Sequence, residues 1–117
     1  MAYYTLDDIK RYIGFETTNT DYDAVLTDFA DKADDQVDNR LFNTASKRRR
    51  LSTLPELPLT TVPESIKFAS NARAVAYYYA RSQNTESHDL WMKNSDKSID
   101  EYIERLDSDA KIYGETF

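Results

Sequence analysis

Residues Val62–Ser82 read VPESIKFASNARAVAYYYARS, and this stretch decides the fold. Pro63 falls where a first helical position would be, with Thr61 available as a cap just before it. Stepped at a helical period, Phe68, Ala69, Ala72, Val75, Ala76, Tyr79 and Ala80 share one broad face, which Ile66 and Tyr77 extend. Glu64, Lys67, Asn71, Tyr78 and Arg81 fall on the opposite side. Alanines let neighbouring helices approach closely, so the stretch is expected to be the central helix of a small bundle.

Upstream, Asp21 to Leu41 carries the cleanest periodic signal. A helix is expected from Thr20 or Asp21 to about Leu41, with Tyr22, Val25, Leu26, Phe29, Ala30, Ala33 and Val37 on one face. Asp23, Asp28, Asp31, Asp34, Asp35 and Asp38 gather on the other. Aspartate is a poor helix former, so this helix relies on tertiary packing of its apolar face. The aspartates match no calcium loop, which needs alternating oxygen ligands around a central glycine. They form a solvated face or a surface complementary to a basic partner, including a second copy of the chain. Nearer the N-terminus, Thr5-Leu6-Asp7-Asp8 has the shape of a capping box opening a short helix that Gly14 ends.

Between these helices, residues 43–62 are expected to form an extended or β-like arm. Pro55 and Pro58 forbid a continuous helix there, while Leu51, Leu54, Leu57, Leu59 and Val62 keep it apolar enough to lie against the bundle. Lys47-Arg48-Arg49-Arg50 sits near the arm's start. That run is either an exposed loop balancing nearby aspartates or a contact for phosphates or an acidic partner.

Downstream, Ser82–Glu86 reads as a polar connection, and Ser87–Met92 as a short helix or turn packing Leu90 and Trp91 on the bundle. A last helix is expected from Ser95 or Asp96 to Gly114, burying Ile99, Tyr102, Ile103, Leu106 and Ala110. Residues 114–117 form a tail.

The bulk numbers agree. At 117 residues the chain suits one domain, with 40% hydrophobic and 31% charged residues, and two glycines and three prolines disfavour a turn-rich β fold. The expected class is therefore all-α, a small bundle around the Ala/Tyr-rich helix. No cysteine is present, so disulfide and thiolate chemistry are excluded. His88, the one histidine, has no partner at metal-ligand spacing. Glycines only at 14 and 114 leave no phosphate loop or dinucleotide fingerprint. No serine sits in a nucleophile elbow, and no apolar run reaches signal-peptide or membrane-spanning length. The expectation is a soluble protein that is not an enzyme and holds no cofactor or metal. A net charge of −6 disfavours non-specific nucleic-acid binding by the whole surface.

Three blocks in order carry a resemblance: Leu6–Gly14; Asp21–Leu26 with the long helix closing on Val37-Asp38-Asn39-Arg40-Leu41; and Val62–Lys67 followed by Ala69, Ala72, Tyr77-Tyr78-Tyr79 and Arg81. Together they resemble the head–tail connector (adaptor) proteins of tailed viruses, over roughly residues 5–113. The resemblance departs at Pro55 and Pro58, which interrupt a stretch that forms a strand in many members, and it does not extend to Lys47–Arg50. It implies a virion protein at the head–tail junction, assembled in the host cytoplasm as a ring, typically twelve-fold, that extends the DNA channel beneath the portal. Portal protein, further copies of the chain, and a tail or head-completion protein are the implied partners, with DNA passing through unbound by sequence. Arg73, at the edge of the apolar face, Tyr77, Asp31, Asp35, Lys47, Arg48, Arg49 and Arg50 are the expected subunit contacts. Ile112, Tyr113 and Phe117 are the expected portal contacts. On this reading Arg73→Ala weakens assembly more than folding. The competing reading is a small nucleic-acid-binding or regulatory helical protein that uses Lys47–Arg50.

Overall fold

Four α-helices follow one another along the chain: α1 (Leu6–Ile13), α2 (Asp23–Lys47), α3 (Glu64–Arg81) and α4 (Thr85–Ile112). The computed structural model describes residues 3–47 and 55–112, without the side chains of 107–112. No strand occurs among the described residues. The expected all-α bundle is therefore what forms, and α3 packs against all three other helices, α4 most extensively.

The centre of α3 is enclosed on every side. Ile66, Ala69, Ala72, Ala74, Val75 and Ala76 are fully buried, and Ser70, Asn71 and Arg73 are buried with them. Small side chains on several faces make this possible, since they let three helix backbones come close at once. Three expectations for this helix fail. Asn71 is inside rather than on the outer side, because α1 covers that face, and the Thr5 backbone N–H donates to Asn71 Oδ1. Ala80 is exposed, although Ala76 one turn earlier is fully buried. Pro63 is the cap itself, in an extended conformation, and not the first helical residue.

Two apolar clusters flank α3. One joins Tyr3, Val37, Leu41 and Leu59 to Ile66, Ala69, Ile99 and Ile103. The other joins Ile9, Leu26, Ala30 and Ala33 to Ala74 and Val75. Aromatic rings surround the second cluster: Tyr12 stacks on Trp91, Phe15 stacks on Tyr22, and Tyr78 meets Phe15 edge-on. Trp91 thus packs as expected, whereas Leu90 points to solvent at 57% exposure.

Helix ends explain the connections. Gly14 adopts φ +99°, its N–H donating to the Lys10 and Arg11 carbonyls, while the Phe15 N–H also donates to Lys10 O. Glycine takes this left-handed cap without steric penalty. Thr5 caps α1 by backbone conformation only, with no side-chain bond, so the expected capping box does not close. After α3, Gln83 takes the same role at φ 61°, with its N–H on Ala80 O and the Asn84 N–H on Tyr79 O. Asn84 then caps α4, its Oδ1 accepting from the Ser87 N–H at 3.1 Å.

Two boundaries differ from expectation. α4 is one continuous helix from Thr85, not a short turn plus a later helix, because no glycine or proline interrupts it and Ser95 is buried against α3. α2 runs six residues past Leu41, taking residues 43–47 from the expected arm, because Ala45 buries against the first cluster. It also begins at Asp23, leaving Tyr22 outside the helix and 45% exposed. Residues 55–63 follow an irregular path with bends, anchored by buried Leu59 and partly buried Leu57 and Val62. Leu51, Leu54, Arg48–Arg50, Tyr113, Gly114 and Phe117 lie outside the described residues, and Ala110 and Ile112 are described by backbone alone.

Candidate functional site

The chain's chemistry is concentrated on α2, whose exposed crest separates two unlike surfaces. On one shoulder, Asp28, Asp31 and Asp35 are exposed, forming an acidic stripe; Asp31 also accepts from the Tyr4 hydroxyl at 3.0 Å. The other expected members of this face behave differently. Asp34 and Asp38 are half-buried and engaged within the chain, because Tyr3 folds back over them.

Tyr3 ties three segments together. Its N–H donates to Asp34, its hydroxyl donates to Asp38, and that hydroxyl accepts from the Leu59 N–H at 2.7 Å. Ser70 of α3 donates to the other Asp34 oxygen. Burial pushes the Asp34 and Asp38 carboxyls above the usual range, outweighing the hydrogen bonds that pull them down. Burial, with the Asp38 bond adding to it, pushes the Tyr3 phenol well above the ordinary tyrosine value. Nothing in the sequence around Tyr3 signals this role, since its partners lie 31 to 56 positions away.

On the opposite shoulder, α2 and α3 enclose a polar cavity of about 320 Å³. Gln36, Asn39, Asn43 and Lys47 form its exposed rim. Arg40 and Thr44 lie deeper, and Arg73 of α3 is the most buried residue of the lining. Arg73 is not an exposed edge residue: its side chain is 8% accessible, and its guanidinium reaches Asp96 and donates to Ser95 Oγ at 3.1 Å. Ser95 passes the bond on to the Ala69 carbonyl, 2.7 Å away. Arg40 shares Asp96, its buried Nε 3.5 Å from that carboxylate without a hydrogen-bond partner among the described residues, and its guanidinium also pairs with Asp100 at 3.2 Å.

Of the expected contact residues, Asp31, Asp35 and Lys47 are exposed on α2, whereas Tyr77 is half-buried against Phe29 with Lys32 over its ring at 5.0 Å. Burial raises the Tyr77 phenol above its ordinary value, against the opposing pull of Arg73. A second cation is also buried. Lys10 of α1 is 3% accessible and pairs with Asp23 at 2.7 Å, donating to the Thr17 carbonyl at 3.2 Å. Among the described residues, no cluster of His, Asp or Glu is arranged to hold a metal ion. His88 meets only Asp89, its sequence neighbour, at 3.0 Å.

A bundle whose polar groups serve packing and surface complementarity has the character of an assembly component. The comparison with known families decides which kind: the sequence model of the phage gp6-like head-tail connector proteins matches residues 3–109. The chain belongs to that family. The match spans α1 to α3, α4 as far as residue 109, and the Tyr3 tie, and it carries the three blocks of sequence that suggested it. No curated protein and no solved structure gives a significant match. As a head–tail connector the chain is a structural component of a phage particle, in a family that is structural rather than enzymatic. No described helix is long and apolar enough to cross a membrane.

Proposed function

We propose that the chain is a single connector domain that assembles as a homo-oligomeric ring beneath the phage portal and extends the DNA channel toward the tail. The family match over residues 3–109 carries this reading. The acidic stripe with Asp31 and Asp35, facing Lys47 and the Arg48–Arg50 run of a neighbouring copy, supplies opposite charges for a head-to-tail contact. Tyr77 borders that contact. Arg73, held by Asp96 and Ser95 of its own chain, is assigned to the fold instead. Ile112, Tyr113 and Phe117, at the C-terminal end, are the segment proposed to reach the portal.

A net charge of −6 suits a channel component, since few phosphate contacts leave DNA free to slide. The same charge opposes the nucleic-acid-binding alternative, for which Lys47–Arg50 is the only support. Light scattering on the chain mixed with the portal protein of the same phage tests the proposal. A stoichiometric complex much larger than either component is expected. A chain that stays monomeric and elutes apart from the portal overturns it.

A further inference from the structure

The cavity between α2 and α3 has a lining suited to one kind of ligand. Lys47 supplies an exposed cation, Arg40 a buried Nε that makes no hydrogen bond among the described residues and lies 3.5 Å from Asp96, and Asn39 and Asn43 amide donors at the rim. Such a set recognises an oxyanion, and charged donors in a concave site hold a carboxylate more strongly than the same donors on a flat surface. Asp96 and Asp100 stand behind Arg40 and Arg73. They neutralise most of the charge on the two guanidiniums and leave Lys47 as the cation they do not pair, so the site suits a small anion such as a carboxylate side chain better than an extended polyanion such as a phosphate backbone, in about 320 Å³.

The chain's own acidic stripe cannot fill the cavity. At 100° and 1.5 Å per residue, the mean direction of Asp28, Asp31 and Asp35 is about 120° from that of the α2 cavity residues and their mean position about 15 Å back along the axis; Asp35, one turn from Asn39 on the rim, does not itself line the cavity. A two-fold pairing needs stripe and cavity on one shared face, and with about 120° between their mean directions on α2 it cannot readily engage both. A head-to-tail contact can.

We propose that this cavity receives Asp31 or Asp35 from α2 of a second copy of the chain. The inference rests on the connector reading and deepens it by naming the socket through which one copy holds the next. Because the two patches are offset along α2, a closed ring built this way has α2 tilted from the ring axis.

The test uses the full chain, mixed from ¹⁴N and ¹⁵N preparations and coupled by a zero-length carbodiimide. An amide between Lys47 and Asp28, Asp31 or Asp35 of differently labelled copies is expected. Within one chain Lys47 lies about 18 Å or more along the helix from these carboxylates, so such a link reports a neighbour. The exposed-site variants Asn39→Asp/Asn43→Asp and Asp31→Asn/Asp35→Asn should each weaken self-association by about tenfold or more in sedimentation. Mixed together they should form a 1:1 dimer that goes no further, since only one socket and one stripe remain intact. Circular dichroism confirms that both variants fold.

Absence of the Lys47 link, wild-type self-association in both variants, or a chain monomeric at every concentration overturns the socket. Loss of the link on adding duplex DNA, with DNA binding abolished by Asn39→Asp/Asn43→Asp, identifies a phosphate occupant and overturns it too. A monomeric chain that still captures the portal refutes the socket alone, while the Lys47 link without portal capture refutes the connector reading alone.

Discussion

Replacing Arg73 by alanine should damage the fold before it damages any assembly. The guanidinium is 8% accessible and joins α3 to Asp96 and Ser95 of α4. A hydrogen bond to a charged partner contributes about 1.5–3 kcal/mol, and the lower end applies because Asp96 is a third exposed and keeps Arg40. The Ser95 bond adds about 0.5–1 kcal/mol, its hydroxyl keeping the Ala69 carbonyl. Burial of the aliphatic stem adds a comparable amount. Together these give about 3 kcal/mol, or a fall of roughly 10–15 °C in Tm for a domain of this size. Arg73→Lys, which keeps the charge and loses the planar fork, should fall between alanine and wild type. Urea and thermal unfolding followed by circular dichroism measure the loss, and sedimentation measures self-association. An alanine variant of unchanged stability that no longer self-associates would refute the reasoning and restore Arg73 as an edge contact.

Other consequences are equally direct. Tyr3→Phe strips the hydroxyl from the buried Leu59 N–H and from Asp38, so unfolding free energy should drop by about 1–3 kcal/mol. Hydrogen exchange should show lost protection at the Leu59 amide, and an unchanged Leu59 rate would contradict the tie. Gly14→Ala meets no atom within 4 Å but must hold φ +99°, so it should destabilise by about 1–2 kcal/mol in urea, through strain alone. Gln83→Gly, relieving a non-glycine residue at φ 61°, should stabilise by up to about 1 kcal/mol on the same assay. Asp34 and Asp38 titrate higher in the folded chain than in the unfolded one, so the folded state binds more protons between those values. Their burial penalty is present above the raised folded values and is relieved as pH falls toward about 3.9. Asp34→Asn/Asp38→Asn should therefore lose stability relative to wild type as pH drops from 7 to 4; a constant difference across that range would contradict the assignment.

Much of the architecture was written in residue types. The Ala/Tyr pattern of α3, the apolar spacing of α2 and Gly14 each act locally, so spacing alone locates a bundle around α3. Boundaries were less legible because they depend on packing partners. Ala45 extends α2 by burying against Leu41 and Ile66, and Ser95 keeps α4 continuous by reaching the Ala69 carbonyl. The buried polar residues were least legible. Lys10, Asn71 and Arg73 look like surface residues until their partners arrive: Asp23 from the start of α2, the Thr5 backbone, and Asp96 from α4. The cavity is hidden in the sequence for a related reason. Gln36, Asn39, Asn43 and Lys47 recur at helical spacing, a sign available in the sequence, but Arg73 joins them only through the packing of α3.

Under the proposed function, this chain connects head to tail by seating on the portal. Electron microscopy of purified portal rings incubated with the chain tests it most directly. The account expects an added ring of density on one end of the portal, coaxial with the channel and absent without the chain. Portal rings that remain bare at saturating chain would contradict it.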